Sequence, residues 1–306
     1  MSMAFWPFFT VDLEISNLCR HACAFCPREA ISRERGCMPG NLFERLSARL
    51  LESGAQVTLS GMGDPLSHPE WERFVRGYRE RGGEMGVQVS AASLSSERTE
   101  RLVAAAPSFI NLSLPSTSAE TLRQLLPGCD PDELLQTALR LAERCRRHLP
   151  LSIIVLRTGL ETEAEQASTV SFWKQRKVQV RLFDCHSRGG NLIGERLLGR
   201  GRSIGLDRPC GLFARHAFVT WQGQLLACCH DLGGETRLGD LAREAIELLA
   251  ERKRERSGLV PPFELCRDCD EPLRFLPLPE GAPPVDRRQR SRYLRRLKSF
   301  RATCVG

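Results

Sequence analysis

The chain alternates short apolar runs with longer stretches in which apolar residues recur every three or four positions. Short apolar runs bounded by polar residues and glycine are typical of strands, and the longer spacing is typical of amphipathic helices. The pattern predicts strands at 9–15, 56–60, 86–91, 109–114, 151–156 and 178–183. Between and after them it predicts helices at 41–52, 69–81, 96–105, 118–126, 131–148 and 162–175.

This alternation of strands and helices predicts an α/β fold with a parallel sheet. A closed eight-stranded barrel needs about 250 residues, and only about 185 precede a change of pattern. We therefore expect six β/α units that form a partial, open (β/α)6 barrel of the TIM-like kind. In such sheets the chemistry lies at the C-terminal ends of the strands.

The last third of the chain is organised differently. Two short apolar runs, at 214–221 and 224–228, are separated by a Gln-Gly pair and predict a β-hairpin, and a helix is expected at 240–256. We expect a barrel over 1–186, a Gly- and Arg-rich linker over 187–209, a small hairpin and helix domain over 210–276, and a proline-rich segment with a basic tail over 277–306.

Composition narrows the class of protein. With 42% hydrophobic and 26% charged residues, the chain has material for an ordinary globular core. The net charge of +7 comes mostly from the tail at 287–301, which could contact nucleic acid, a membrane surface or an acidic partner, or form a solvated helix. We expect neither nucleic acid nor membrane to be the partner.

No export or membrane segment is evident. The apolar N-terminus is short and lacks a basic region, and no run approaches the ~20 apolar residues that span a bilayer. The sequence therefore predicts a cytoplasmic protein. Its thirteen cysteines then point to metal binding rather than to a disulfide framework.

Three of these cysteines, Cys19, Cys23 and Cys26, lie within eight residues directly after the first predicted strand. Closely spaced thiolates can face one point in space, and they select zinc or an iron–sulfur cluster. Because a set of three leaves one metal position open, it has the arrangement of a catalytic centre. Three structural cysteines near the surface are the alternative.

The Cys-x3-Cys-x2-Cys spacing, with Phe25 just before the third cysteine, resembles the radical S-adenosylmethionine (SAM) superfamily. The resemblance implies that the three thiolates hold a 4Fe–4S cluster whose fourth iron binds the amino and carboxylate groups of SAM. One electron from the reduced cluster then cleaves SAM to a 5′-deoxyadenosyl radical. The resemblance also implies a partial barrel and an external electron donor such as flavodoxin or ferredoxin.

A glycine-rich turn follows the second strand, Gly61-Met62-Gly63-Asp64-Pro65. In that place it resembles the family's GGEP-type motif, which binds the amino group of SAM. Asp64 stands where Glu is usual, and its side chain is one methylene shorter. We therefore expect backbone carbonyls to contribute more here than the Asp64 side chain. An ordinary turn between strand and helix is the alternative.

Four further residues near strand ends are candidates for binding SAM or for the reaction itself. Ser113 matches a fourth-strand serine that often contacts the ribose or carboxylate of SAM, and Ser90 lies in a Val-Ser-Ala-Ala run where the family commonly has Thr-Asn-Gly. Arg157, at the end of the fifth strand, is a candidate to bind the SAM carboxylate; a solvated arginine is the alternative. Cys185, after the sixth strand, is a candidate hydrogen-atom donor to a substrate radical, or a small buried side chain.

The C-terminal third carries four more candidate metal ligands, Cys210, Cys228, Cys266 and Cys269. Four thiolates close a site for zinc or a 4Fe–4S cluster. Their order, Cys, Gly-x4-Cys, helix and Cys-x2-Cys, resembles the SPASM and twitch extensions of radical SAM enzymes. A full SPASM domain has three more cysteines, and only Cys304 remains, so we expect the twitch-like form with one auxiliary 4Fe–4S cluster. Cys229 is an alternative ligand to Cys228.

The leading interpretation is a radical SAM enzyme that abstracts hydrogen from a small polar metabolite. The outcome would be oxidation if the auxiliary cluster accepts an electron, as in the aminoglycoside-precursor dehydrogenases that the architecture resembles, or epimerisation if a thiol returns hydrogen. The first alternative is a maturase of ribosomally made peptides, although few residues precede the first strand to form a leader-binding wing. The second is a non-enzymatic metal and nucleic-acid binding module, which leaves the glycine-rich turn unexplained.

Overall fold

The computed structural model describes residues 10–146, 148–187 and 209–271. Its strands are β1 (Thr10–Leu13), β2 (Gln56–Leu59), β3 (Met85–Ser90), β4 (Ile110–Ser113), β5 (Leu151–Arg157), β6 (Gln179–Asp184), β7 (His216–Val219), β8 (Gln224–Leu226) and β9 (Arg237–Asp240). Its helices are α1 (Gly40–Ser53), α2 (Trp71–Glu80), α3 (Ser96–Ala104), α4 (Ala119–Leu125), α5 (Pro131–Cys145), α6 (Glu163–Gln175) and α7 (Ile246–Ser257).

The strands form one sheet in the order β6-β5-β4-β3-β2-β1-β7-β8-β9. Neighbouring strands from β1 to β6 are parallel, and helices connect them, which gives the predicted partial (β/α)6 TIM-like barrel. All six predicted strands are present, with ends that differ by one or two residues. The expectation of an open α/β barrel is confirmed.

The predicted hairpin is also present, as the antiparallel pair β7 and β8. The sequence did not indicate that β7 pairs in parallel with β1, with Thr10 opposite His216 and Leu13 opposite Val219. A partial barrel leaves one edge of β1 with unpaired backbone groups, and an apolar strand can satisfy them. The hairpin therefore continues the barrel sheet. The predicted linker and basic tail fall largely outside the described residues, which omit 188–208 and 272–306.

Side-chain alternation along β1 separates the core from the inner face of the barrel. Val11 and Leu13 are fully buried and belong to the same core as Leu46 of α1. Because successive side chains on a strand point to opposite faces, Asp12 and Glu14 point to the inner face. The polar side chains on β1 therefore line the barrel, while its apolar side chains join it to the helices.

The helix starts follow from local hydrogen bonding. The side chains of Ser118 and Asp130 accept hydrogen bonds from backbone N–H groups of α4 and α5, as their positions in the sequence predicted. The predicted helix at 69–81 begins only at Trp71, whose N–H donates to the carbonyl oxygen of His68. The predicted helix at 240–256 begins at Ile246, because the residues before it form a turn around Asp240.

No helix in the described residues is long and apolar enough to cross a membrane.

The core supports a test of the helix and sheet packing. Leu46 is completely buried between α1 and the sheet, so Leu46→Ala removes buried methyl groups and leaves a cavity. We expect the free energy of unfolding to fall by about 2–5 kcal/mol, measured by chemical denaturation. Arg45→Ala, at an exposed position of the same helix, is the matched control and should change it by less than ~0.5 kcal/mol. Equal effects of the two variants would contradict this packing.

Candidate active site

The loop that carries Cys19, Cys23 and Cys26 follows β1 directly, at the C-terminal end of the strand. Burial, together with the nearby thiols of Cys26, Cys19 and Cys129, raises the pKa of Cys23 to about 12. The three predicted thiols thus lie close enough to influence one another. Only a cationic centre makes three such thiols favourable as thiolates, so the donor set fits an iron site.

Several hydrogen bonds fix this loop. The Cys26 N–H donates to the carbonyl oxygen of Cys23 (3.0 Å), and the Ala24 N–H donates to that of Leu125 at the end of α4 (3.0 Å). The buried guanidinium of Arg28 donates to the carbonyl oxygens of Cys19 and His21. The loop geometry is therefore set by backbone contacts that do not depend on the thiols.

Cys129 is a residue that the sequence did not place here. Its thiol is half-buried and is one of the groups that raise the pKa of Cys23. It lies more than a hundred positions along the chain, just before α5, and no local spacing links it to the first three cysteines. Only the packing of α4 against the loop brings it near.

The glycine-rich turn packs directly against the end of β1. A Cβ atom at Gly63 would lie 2.4 Å from the carbonyl carbon of Asn17, and one at Gly61 would lie 2.6 Å from Cγ of Glu14. The Asp64 N–H donates to the carbonyl oxygen of Leu18 (2.8 Å). Glycine is thus required here by close protein contacts, in addition to any approach of a ligand.

Asp64 connects this turn to the cysteine loop. Its Oδ1 accepts a hydrogen bond from the Leu66 N–H (3.0 Å) and caps a short 3-10 helix. Burial raises the pKa of Cys19, and the Asp64 carboxylate adds to that shift. Its Oδ2 is buried beside Ser93 and Arg98, and no hydrogen bond of good geometry reaches it from the described residues. Burial raises the pKa of Asp64. Oδ2 lies 4.0 Å from Nη1 of Arg98, and it can also accept a hydrogen bond from an ammonium group, such as that of SAM.

Glu14 joins the three segments around the cysteine loop, and it is fully buried. Its Oε2 accepts hydrogen bonds from the Met62 N–H in the glycine-rich turn (3.0 Å) and from Nη2 of Arg33 (2.6 Å). Its Oε1 lies 3.5 Å from the Trp221 N–H at the hairpin turn. Sequence analysis did not assign this role, because none of these partners is close to Glu14 along the chain.

The other candidates occupy separate places. Ser90 and Ser113 are opposite each other on β3 and β4, and the Ser90 hydroxyl accepts from the Ala92 N–H. Arg157 forms an ion pair with Asp184 (2.7 Å) at the ends of β5 and β6. The Cys185 N–H donates to the carbonyl oxygen of Arg157 (2.8 Å).

The two apolar candidates pack against other apolar side chains. Phe25 is half-buried and packs on the core, and Met62 is buried in a small cluster with Ile31 and Leu232.

A second group of thiols surrounds Cys228. Burial raises the pKa of Cys228 far above its usual value, and Cys229, Cys210 and Cys269 raise it further. The Cys269 N–H donates to the carbonyl oxygen of Cys266, which closes the Cys-x2-Cys turn. The structure thus brings Cys210, Cys228 and the Cys-x2-Cys turn close together.

Lys253 of α7 lies beside this group. It is almost fully buried, and its Nζ donates to the carbonyl oxygen of His216 (2.8 Å). Burial lowers the pKa of Lys253 strongly, and the thiolates of Cys228 and Cys210 oppose that shift. A buried lysine is charged only beside a compensating negative charge, and a thiolate-bound cluster would provide one. The donor set, with this lysine beside it, fits an iron–sulfur centre.

The pairing of Glu14 with Arg33 can be tested by a double-mutant cycle. Arg33→Met leaves Glu14 buried without its cation, and Glu14→Gln leaves the buried cation of Arg33 without its anion. We expect each single variant to lower the free energy of unfolding by about 3–5 kcal/mol, and the double variant to lose less than the sum. Additive losses in chemical denaturation would show that the two charges do not depend on each other.

Comparison with known proteins supports the resemblance to the radical SAM superfamily. The Radical SAM superfamily model matches residues 13–167, which is half of the chain and includes the cysteine loop and the glycine-rich turn. A curated relative, the tungsten-containing aldehyde ferredoxin oxidoreductase cofactor-modifying protein of Pyrococcus furiosus, is 24% identical over 144 residues. That match covers 45% of this chain and 40% of the relative.

Two solved structures share the fold. BtrN in complex with AdoMet and 2-DOIA has a TM-score of 0.59 and 16% identity, and the match covers 90% of this chain and 98% of BtrN. SuiB of Streptococcus suis, bound to the precursor peptide SuiA, has a TM-score of 0.61 and 17% identity, over 81% of this chain and 65% of SuiB. With the family model matching half of the sequence, the chain belongs to the radical SAM superfamily, whose enzymes use SAM and a 4Fe–4S cluster for radical chemistry.

Proposed function

We propose that this enzyme carries one auxiliary 4Fe–4S cluster and dehydrogenates a small polar metabolite. The observation that carries this proposal is the second set of thiols around Cys228, with the buried side chain of Lys253 beside it. A cluster at that position can accept one electron from a substrate radical, which makes the overall reaction an oxidation. We further propose that 1–186 acts as the barrel domain and 210–276 as the auxiliary domain.

In this proposal Cys19, Cys23 and Cys26 hold the cluster that binds SAM. When bound, that cluster supplies the electron that cleaves SAM to a 5′-deoxyadenosyl radical, and an external donor such as flavodoxin or ferredoxin reduces it. Arg28 and the α4 contact hold the loop in place.

The residues expected to bind SAM lie along the C-terminal ends of the strands. Asp64 offers a buried oxygen to the amino group, and the backbone of the Gly61–Asp64 turn supports that contact. Ser90 and Ser113 are neighbours across β3 and β4, where their hydroxyls can serve the ribose or the carboxylate. Arg157 keeps an ion pair with Asp184 and would bind the carboxylate only as part of that pair.

A small polar substrate is supported by the inner face of the barrel. Alternation along the strands places polar side chains in rows on that face, with Asp12 opposite Thr58 and Gln88 opposite Asn111. The match to BtrN, solved with AdoMet and 2-DOIA, extends over nearly the whole of both chains. The match to SuiB leaves a third of that protein uncovered.

A peptide substrate is the second candidate, because SuiB was solved with a precursor peptide. Transfer of deuterium from labelled candidate substrates into 5′-deoxyadenosine distinguishes the two classes. Transfer from a small hydroxylated metabolite supports the proposal, and transfer only from a peptide overturns it. If no net oxidation accompanies transfer and solvent hydrogen enters the product, the reaction is epimerisation, with Cys185 as the candidate donor.

The roles of the two thiol sets are tested by 5′-deoxyadenosine formation from SAM and dithionite. We expect Cys23→Ala to abolish it, because a ligand of the SAM-binding cluster is lost. Cys266→Ala should retain SAM cleavage but lose product, because only the electron acceptor is lost. Cys37→Ser, at a half-buried thiol outside both sets, is the control and should match the unaltered enzyme. Cleavage that survives in Cys23→Ala would contradict the assignment.

Asp64→Asn tests the SAM contact separately from folding. Asparagine keeps an acceptor for the Leu66 N–H but removes the charge, which should weaken SAM binding by about 10- to 100-fold. Because burial raises the pKa of Asp64 in the folded state, ionisation opposes folding as the pH rises above the range of an unfolded aspartate. The cluster-free variant should therefore be more stable at neutral pH. Unchanged SAM affinity in equilibrium binding would contradict the role of Asp64.

A further inference from the structure

The two adjacent cysteines of the hairpin end belong to different groups. Cys228 is half-buried and lies near Cys210 and Cys269. The thiol of Cys229 instead lies with the side chains of Asp12 and His216, and the three potential ligand atoms are all within 4.8 Å of one another. Vicinal cysteines that serve two different groups of polar side chains indicate two separate sites.

The imidazole of His216 is oriented as in a metal ligand. Its Nδ1 forms a hydrogen bond with the hydroxyl of Thr10 (3.0 Å), and its Nε2 points toward Asp12. An outer hydrogen bond of this kind fixes the tautomer and ring orientation of a metal-binding histidine. Thr10 and His216 are paired on β1 and β7, so the sheet itself fixes this arrangement.

The Nε2 atom of His216 is a buried ring nitrogen that lacks a hydrogen-bond partner among the described residues, and the residue is only 7% exposed. Oδ2 of Asp12 lies 3.4 Å from it, without hydrogen-bond geometry. Two ligands at about 2.0–2.1 Å from a tetrahedral zinc ion are separated by about 3.3–3.4 Å. The spacing of the two atoms therefore suits a shared metal ion as well as an ion pair, and a metal would satisfy the buried nitrogen.

We propose that Asp12, His216 and Cys229 bind a divalent cation of the zinc class on the inner face of the barrel. Carboxylate, imidazole and thiolate are all zinc ligands, and the mixed set disfavours magnesium or calcium, which prefer oxygen ligands alone. Three protein ligands leave one position of a tetrahedral ion open. That position can take water or an oxygen atom of a hydroxylated substrate, whose pKa the ion would lower.

None of the three residues belongs to the proposed ligands Cys19, Cys23 and Cys26 or Cys210, Cys228, Cys266 and Cys269. A competing candidate is the group of His186, His230 and Glu271, whose ligand atoms also lie within 4.8 Å of one another. There the carboxylate of Glu271 already contacts both imidazoles, at 3.3 and 2.7 Å. We favour the Asp12 site because Glu271 already forms a hydrogen bond with Nε2 of His230 (2.7 Å), whereas no hydrogen bond joins Asp12 to Nε2 of His216.

The test is metal analysis of the reconstituted holoenzyme after one equivalent of zinc and removal of unbound metal. We expect about one zinc per chain in addition to the iron of the clusters. Zinc should fall to background in Cys229→Ser and in His216→Gln, with iron content unchanged as evidence that the variants fold. His186→Gln tests the competing group, and Cys37→Ser tests a thiol outside every site, and both should retain zinc.

X-ray absorption at the zinc edge identifies the ligands. We expect one sulfur at about 2.3 Å and nitrogen or oxygen ligands at about 2.0–2.1 Å. A four-sulfur spectrum would mean that zinc occupies the Cys228 set, and it would overturn the proposal. Absence of zinc in the unaltered holoenzyme, retention of zinc in Cys229→Ser, or loss of zinc in His186→Gln would overturn it as well. Loss of iron in Cys229→Ser would assign Cys229 to the auxiliary cluster instead.

Discussion

The buried carboxylate of Glu14 is the contact on which the site depends. It lies at the end of β1 and binds the glycine-rich turn through Met62, the segment after the cysteine loop through Arg33, and it approaches the hairpin turn at Trp221. A buried ion pair is costly to form and more costly to break on one side. It therefore specifies a single arrangement of these segments, and the cysteine loop between them takes its position from that arrangement.

The pairing of β1 with β7 extends this arrangement to the second set of thiols. Because β7 continues the barrel sheet, the hairpin that leads to Cys228 is positioned by the same strand that leads to Cys19. Lys253, on the helix that follows, donates to the backbone of β7 and places its buried amino group beside Cys210 and Cys228. Because β1 pairs with β7, the barrel strands and the hairpin contribute to one continuous inner face, which includes Asp12 and its polar neighbours.

Local patterns were sufficient to predict the elements and the thiol sets. The strand and helix periodicity, the Cys-x3-Cys-x2-Cys spacing and the Cys-x2-Cys turn are all encoded within a few residues. Contacts between distant segments were not predictable in this way. Glu14 and Trp221, Cys23 and Cys129, and Asp12 and Cys229 approach one another only through the sheet order. The glycines of the turn were assigned to ligand approach, and the structure shows that packing against β1 requires them as well.

The central proposal is that one chain carries two iron–sulfur clusters, of which only one binds SAM. The most direct test is iron and sulfide analysis of the anaerobically reconstituted protein, combined with electron paramagnetic resonance of the reduced protein with and without SAM. The account predicts about eight irons and eight sulfides per chain, and a spectrum in which SAM changes one of two components. About four irons, with a single component that SAM changes completely, would contradict it.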